Sequence, residues 1–178
     1  MRINKKLIAK SIIYAVIFII FTVLETNILN GLKILRIFGI FGVKPNLVIS
    51  LIIAAAVAEN ERYAAVLGMI CGFVMDSSAG SPFFFSGIYY FIAAYIAGTV
   101  ARYYFAKSLL TMIIMILPVC AVREVLNMFY LISVWSDFNI AEALYKYILP
   151  EFVFTVILAP AVYFLVKFTA GKISYQNV

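Results

Sequence analysis

The sequence has 178 residues, of which 66% are apolar, and its mean hydropathy is +1.08. Charged residues make up only 12%, against about a quarter in an ordinary soluble domain, so a soluble globular protein is excluded. The net charge of +6 comes largely from basic residues that flank apolar runs, where they set orientation and meet anionic lipid head groups. No basic cluster stands apart from a membrane segment, so nucleic-acid binding is not expected.

Continuous apolar runs predict an all-α integral membrane protein, a bundle of six transmembrane helices that forms a single domain over residues 1–178. In lipid the backbone must satisfy its own hydrogen bonds, which leaves helices or closed barrels. These runs are longer than the alternating strands of a barrel, so helices are predicted. The predicted runs are 7–24, 47–58, 63–75, 83–101, 109–132 and 147–166.

The N-terminal segment is basic and leads directly into the first apolar run. A secretory signal peptide begins in the same way, but no A-x-A cleavage site follows, so an uncleaved first helix is predicted. The segment 31–44 mixes apolar residues with Lys33 and Arg36 and is interrupted by Gly39 and Gly42. It is too short to span the bilayer, and a segment lying along the head groups is predicted instead.

The second and third runs are short for transmembrane helices. Pro45 opens the second run, which has only 12 residues, against about 20 for a typical span. The third run has 13 residues, or 18 if it continues to Gly80. A re-entrant hairpin would bring the charged residues Glu59, Glu61 and Arg62 near mid-membrane, at roughly 2.5–3.5 kcal/mol each. Two short spans joined by a polar turn are therefore favoured.

The later runs differ in how many polar residues they contain. The fourth run carries no charge, the fifth is interrupted by Arg123 and Glu124, and the sixth contains Pro150, Glu151 and Pro160. Two polar connections, 76–82 and 133–146, are predicted to be loops.

The distribution of basic residues predicts the orientation. Six spans with a cytoplasmic start leave nine Lys and Arg inside and four outside, which supports cytoplasmic N- and C-termini. The inside residues are Arg2, Lys5, Lys6, Lys10, Arg62, Arg102, Lys107, Lys167 and Lys172, and the outside residues are Lys33, Arg36, Lys44 and Lys146.

Small residues recur every four positions along the third run. They are Ala64, Gly68, Gly72, Asp76 and Gly80, which form one narrow stripe on a helix. Gly68 and Gly72 make a G-x-x-x-G pattern, which lets another helix approach closely. Ala94 and Gly98 offer a similar patch on the fourth run. Packing within the bundle is favoured, and the helix of a partner protein is the alternative.

Ionisable residues within or beside the runs should face the bundle, a partner or water, because lipid solvates them poorly. Glu25 and Asp76 lie at predicted helix ends, whereas Arg123 and Glu124 lie about mid-run. Adjacent helical side chains diverge by about 100°, so these two are not expected to pair simply with each other. Both are predicted to be buried polar residues, and Glu151 is the first partner expected for Arg123.

Catalysis has little support in the sequence. Histidine is absent, so Ser77, Ser78 and Ser81 lack the commonest activating base, and no S-x-x-K spacing exists. The cysteines Cys71 and Cys120 fall inside apolar runs, where they are expected to act as small buried hydrophobes. No enzyme activity, cofactor or metal site is predicted.

One block of the sequence combines a Pro-Asn-Leu helix start, spaced glycines, an aspartate and a short Gly-x-Pro turn, at Pro45, Asn46, Leu47, Gly68, Gly72, Asp76, Gly80, Ser81, Pro82, Gly87 and Gly98. In the order and spacing of these residues the chain resembles the bacterial MreD family of rod shape-determining proteins. The resemblance covers most of the chain, although its distinctive part runs from Pro45 to Gly98. It implies a non-catalytic scaffold of the cell-wall elongation machinery, with MreC as the first partner. MreB and the peptidoglycan glycosyltransferase and transpeptidase pair are further partners that it implies.

The same resemblance implies a competing function. The family is thought to share its six-helix fold with the substrate-binding components of energy-coupling-factor vitamin transporters. Those components present small residues on their first helix, whereas here the run from Ile12 to Leu24 is bulky and has Ala15 as its only alanine. Aromatic residues such as Phe84 and Trp135 could line an outer ligand cavity. The block from Pro45 to Gly98 favours the scaffold.

Overall fold

The computed structural model describes residues 5–24, 45–79, 85–105, 107–134 and 144–174. Within these ranges it contains six α-helices and no strand, so the predicted all-α class is confirmed there. The helices are α1 (Lys5–Val23), α2 (Leu47–Ala58), α3 (Glu61–Ala79), α4 (Phe85–Tyr103), α5 (Leu109–Val134) and α6 (Leu149–Ser174). A π-helical turn, Leu144–Ile148, leads into α6.

Helix α2 lies at the centre of the bundle. Eleven of its 12 residues are buried, from Leu47 through Val57, because its sequence is apolar on every face. It packs against α1, α3, α4, α5 and α6. The helix begins two residues after Pro45. In its last turn the N–H of Glu59 donates a hydrogen bond to the carbonyl of Ala55 at 2.9 Å. A rise of 1.5 Å per residue makes α2 roughly 18 Å long, shorter than the ~30 Å hydrocarbon core.

The outer surface of the bundle is apolar. Large aliphatic and aromatic side chains on α1, α3, α4, α5 and α6 point away from the core and are exposed. They include Ile12, Ile19, Val66, Ile70, Ile88, Ile96, Leu110, Val122, Ile157, Phe164 and Phe168. An apolar belt of this extent is incompatible with water and is expected where lipid is the solvent. Two described helices are long and apolar enough to cross a membrane by themselves, over Leu109–Leu126 and Leu149–Thr169, and shorter apolar stretches lie at Ser11–Val23 and Leu47–Ala58.

Helices α3 and α4 share the most extensive contact of any pair of described helices. Their contact is made by glycines, since a Cβ placed on Gly72 would lie 2.5 Å from the backbone of Gly87. A Cβ on Gly68 would lie 2.8 Å from the carbonyl oxygen of Tyr90. Backbones can meet at this distance only where no side chain stands between them.

The helix boundaries follow most of the predicted runs, and two predicted loops are wrong at their edges. Helix α3 continues to Ala79, one residue short of the longer end that was predicted for it, so the loop begins later than Asp76. The Asp76 side chain is buried and accepts a hydrogen bond from Ser86 of α4. Helix α5 continues to Val134, past the predicted connection start at residue 133. The predicted interfacial segment 31–44, Glu25 and the turn Gly80 to Pro82 lie outside the described residues.

Candidate functional site

Polar side chains from three helices meet at the end of the bundle where α2 and α6 begin. We call this group the Asn46 cluster; its members are Asn46, Arg123, Glu124, Glu151 and Thr155. Asn46 precedes α2, Arg123 and Glu124 lie past the middle of α5, and Glu151 and Thr155 lie four residues apart in the first two turns of α6. That spacing places Glu151 and Thr155 on one face of α6.

Arg123 is the cation of the cluster. Its Nη1 atom lies 3.0 Å from Glu151 Oε1, the partner predicted for it, and 3.3 Å from Glu124 Oε1. The expectation that Arg123 and Glu124 would not pair is wrong. Both side chains are long enough to bend around the helix, so the divergence at Cβ does not carry through to the charged ends. One guanidinium therefore contacts two carboxylates, which supplies charge-assisted hydrogen bonds in a poorly solvated place.

Asn46 links α2 to α6 through its backbone and its side chain. Its N–H donates to Thr155 Oγ1 at 2.9 Å, and its Nδ2 donates to Glu151 Oε1 at 3.2 Å. Thr155 in turn donates to the carbonyl of Glu151 at 2.7 Å. Asn46 is only 2% exposed, and its Oδ1 has no hydrogen-bond partner among the residues that the structure describes. Turning the amide over would set Oδ1 against the carboxylate, so this orientation is the favourable one.

The charged groups of the cluster lie within the apolar belt. The side chains of Arg123 and Glu151 are 26% and 25% exposed, while Val122, Val125 and Val153 beside them are exposed apolar residues. Ionised groups are costly at this depth unless they are paired. The pairing of Arg123 with Glu151 reduces that cost and ties α5 to α6.

A second set of polar contacts holds the opposite end of the bundle. Lys107 Nζ donates to the carbonyls of Ala58 and Glu59 at 3.4 Å and 2.9 Å, where it satisfies the end of α2. Arg102 pairs with Glu61 at 2.7 Å. The hydroxyl of Tyr14 donates to Glu59 at 3.3 Å. These groups tie the end of α2 to the middle of α1 and to the start of α5, and they tie the start of α3 to the end of α4.

The predicted small-residue stripe faces α4 of the same chain. Gly72 meets Gly87, and Asp76, which is 5% exposed, accepts a hydrogen bond from the N–H of Ser86 at 2.8 Å. Ala64 and Ala94 are both buried in the core. A Cβ on Gly98 would lie 2.8 Å from Glu61 Cα, so this position is also a close contact with α3.

Metal-binding side chains are not clustered in the described part of the chain. Among its residues no group of three His, Cys, Asp or Glu side chains is placed to hold a metal ion. Cys71 and Cys120 are buried free thiols on different helices. The Asn46 cluster offers a guanidinium, two carboxylates and an amide, which are groups that bind polar partners through hydrogen bonds and charge.

Sequence reasoning missed several of these contacts. Thr155 had no distinguishing signal except its position four residues after Glu151. Tyr89 donates from its hydroxyl to the carbonyl of Val119 on α5, and nothing in the order of residues pairs these two. Lys107 entered the sequence analysis only as a positive charge, although its Nζ donates a hydrogen bond to the Glu59 carbonyl at the end of α2.

The all-helical bundle, its exposed apolar belt and its internal ion pairs define a helical membrane protein. The family model of rod shape-determining protein MreD matches residues 9–169, nearly the whole chain. The chain belongs to the MreD family, and the resemblance seen in the sequence is confirmed. No curated protein and no solved structure shows a significant match to the chain. Membership supports a role in determining rod shape and a location in the membrane.

Proposed function

We propose that the chain is a non-catalytic scaffold of the bacterial cell-wall elongation machinery, and that it binds MreC. Family membership over residues 9–169 is the observation that carries this proposal. On this view the chain takes part in the control of lateral peptidoglycan synthesis through MreB and the glycosyltransferase and transpeptidase pair. Fold alone would not support the assignment, because bundles of this kind serve many functions.

The interior of the bundle supports a scaffold more than a carrier. The centre is filled by α2, whose residues are buried in contacts with five other helices. A carrier requires a cavity for its cargo, with a few convergent polar groups near the middle of the bundle. The polar contacts of Asn46, Lys107 and Glu61 lie at helix ends and hold elements together. Arg123 lies near the middle of α5, and its guanidinium contacts Glu124 and Glu151 of the same chain.

We further propose that the six helices all cross the cytoplasmic membrane, with both termini in the cytoplasm. The exposed apolar belt involves α1, α3, α4, α5 and α6, as expected for helices in contact with lipid. The basic residues Arg62, Arg102 and Lys107 lie at one end of the bundle. That end is the predicted cytoplasmic side, in agreement with the positive-inside rule.

Co-purification from native membranes tests the scaffold function. The chain, carrying an affinity tag, is extracted in a mild detergent, and the bound proteins are identified by mass spectrometry. Recovery of MreC and the peptidoglycan-synthesising pair is the expected result. Recovery of an ATPase-containing module without cell-wall proteins would contradict the proposal and favour the vitamin-type transporter subunit.

A surface variant of the chain serves as the control in that experiment. Ile157→Ala changes an exposed side chain on α6 without touching the core or the Asn46 cluster. Its folded yield should equal that of the unchanged chain, so a loss of MreC would identify this face as the contact. Equal recovery of MreC would direct the search to the other exposed faces.

A further inference from the structure

Helices α5 and α6 each carry a proline in their interior. Pro118 lies in α5 and Pro160 lies in α6. Because proline has no N–H, the carbonyls of Ile114 and Val156, four residues earlier, do not receive the usual helical hydrogen bond. Sharp bends in helices occur mostly at such prolines or at a few comparable interruptions. Each helix therefore has one turn that bends more easily than the rest.

Helices α5 and α6 are antiparallel neighbours, and contacts at two levels fix their alignment. At one level, Arg123 Nη1 lies 3.0 Å from Glu151 Oε1. At the other, the hydroxyl of Tyr163 donates to the carbonyl of Lys107 at 3.1 Å. Residues equally far before Arg123 and after Glu151 therefore lie at the same depth in the bundle, to within about one helical turn, or ~5 Å.

This alignment places the two weakened turns side by side. The turn 114–118 lies nine to five residues before Arg123, and the turn 156–160 lies five to nine residues after Glu151. Two packed helices can bend together only where their flexible turns are at one depth, because the straight part of one would otherwise block the other. The positions of the prolines meet this condition.

The parts of α5 and α6 on the two sides of these turns differ in their packing. On the side of Lys107, both helices contribute apolar side chains to the core, namely Met112, Ile116, Val162 and Val166. We call the other side the arm; it comprises residues 121–134 of α5 and 149–155 of α6. Among the side chains of the arm whose burial the structure describes, Thr155 alone is buried. A segment with few buried contacts opens more readily than the core.

Polar contacts join the two helices of the arm and hold the arm to α2. Arg123 joins α5 to α6 through Glu151. Asn46, at the start of α2, donates from its N–H to Thr155 Oγ1 at 2.9 Å and from Nδ2 to Glu151 Oε1 at 3.2 Å. The ion pair lets α5 and α6 move as one body, whereas the hydrogen bonds from Asn46 oppose that movement.

We infer that the arm pivots at the turns containing Pro118 and Pro160, and that the hydrogen bonds of Asn46 hold it closed against α2. In the open state the arm leans away from the start of α2, while the side of Lys107 stays packed. A bend of about 20°, the threshold of a sharp kink, moves Val125 by about 4 Å, because it lies ~10 Å beyond Pro118 along α5. This inference goes beyond the scaffold function and gives the bundle two shapes at one end.

Distances between spin labels on the full chain in lipid nanodiscs test the inference. The two native cysteines are first replaced by alanine, so that labels attach only to introduced cysteines. Val125→Cys with Ile88→Cys joins the arm to α4, and Leu110→Cys with Ile96→Cys joins the other side of α5 to α4. All four positions are exposed. We expect two distances about 4 Å apart for the arm pair and one narrow distance for the second pair. Equally narrow distributions for both pairs would overturn the inference.

Variants of the prolines separate a pivot from general looseness of the arm. Pro118→Ala combined with Pro160→Ala supplies both missing N–H groups and favours straight helices, so the variant should fold. The arm pair should then show the closed distance alone. A second distance that persists in this variant would overturn the prolines as the pivot.

A variant of Thr155 tests the contact that holds the arm closed. Thr155→Val keeps the shape of the side chain and removes the acceptor for the Asn46 N–H. The open population relative to the closed one should rise by roughly two- to tenfold, the range of one net hydrogen bond. Val153→Ala, on the exposed face of the arm, is the matched control and should leave both populations unchanged. Equal populations in the two variants would overturn the role of Asn46. If Thr155→Val does not fold, the unchanged chain and the proline variant still decide whether the arm pivots.

Discussion

Replacing Gly72 with alanine should destabilise the bundle, although the same change stabilises most helices. In an open helix, alanine is favoured over glycine by up to about 1 kcal/mol. Here the new Cβ would lie 2.5 Å from Gly87 Cα, Gly87 N and Ser86 C. These are backbone atoms, which no rotamer change can move aside. Since ordinary carbon contacts are about 3.5–4.0 Å long, α3 and α4 must separate by about 1 Å.

Two effects of separating α3 from α4 set the size of the stability loss in Gly72→Ala. Overpacking of this kind costs about 1–3 kcal/mol. The same movement lengthens the 2.8 Å hydrogen bond from Ser86 N to Asp76, which contributes another ~0.5–1.5 kcal/mol. After the helix-propensity gain of up to ~1 kcal/mol is subtracted, a net loss of roughly 1–4 kcal/mol in the free energy of unfolding is expected. At ~2–4 °C per kcal/mol this lowers the melting temperature by roughly 2–15 °C.

Thermal unfolding of the purified chain in one detergent measures the effect. Gly68→Ala provides a graded comparison, because its Cβ would meet the Tyr90 carbonyl, at 2.8 Å from the oxygen and 3.1 Å from the carbon, and the Ile52 Cγ2 methyl at 3.2 Å. That variant should lose less stability than Gly72→Ala. Val66→Ala, on the exposed face of α3, serves as the control and should change little. A Gly72→Ala protein as stable as the unchanged chain would refute the reasoning.

Three further predictions concern the ion pair, the end of α2 and the topology. Arg123→Leu should lower the free energy of unfolding by about 1–3 kcal/mol, because the Arg123–Glu151 ion pair is a quarter exposed and losing it costs less than losing a fully buried ion pair. Adding Glu151→Gln to this variant should restore part of the lost stability, and a double variant no more stable than Arg123→Leu would argue against coupling of the two residues. Lys107→Met should lower the free energy of unfolding by about 0.5–1 kcal/mol, because it removes the cation from the carbonyl end of α2. Lys107→Arg keeps the cation and should leave the stability unchanged, so equal melting temperatures for the two variants would contradict the prediction. Single cysteines at Asn4 and Gln176 should react with an impermeant reagent only after cells are permeabilised, and labelling of either in intact cells would disprove cytoplasmic termini.

The helices themselves were largely predictable from the sequence. The second run ends at a cluster of charged residues and begins after Pro45, and the structure gives α2 the same bounds, Leu47–Ala58. Apolar runs reveal membrane helices because lipid-facing positions and core-facing positions both require apolar side chains. For the same reason they do not reveal which helix is central. Helix α2 is apolar on every face, but in a membrane a helix surrounded by lipid has the same pattern, so this pattern did not identify α2 as the central helix.

The polar contacts were predictable only in part. Arg123 and Glu151 were expected to meet, because charged residues within apolar runs require partners. The contact of Arg123 with Glu124 was missed, since helical geometry fixes the direction of Cβ and leaves the ends of long side chains free. Asp76 was predicted to lie at a helix end, and it lies in the last turn of α3, but its burial was not predicted. Its partner is a backbone N–H on the next helix, which no side-chain pattern identifies.

The central position of α2 has a consequence for how the protein is made. Asn46 and Glu151 are 105 residues apart in the chain, yet they share a hydrogen bond. At about 5–20 residues per second, a ribosome needs roughly 5–20 s to produce the second after the first. During that interval the face of α2 that will contact α6 must be covered by lipid or by the insertion machinery. A chain that stops before α6 leaves this face open, so quality-control proteases that recognise unpaired membrane helices should remove it.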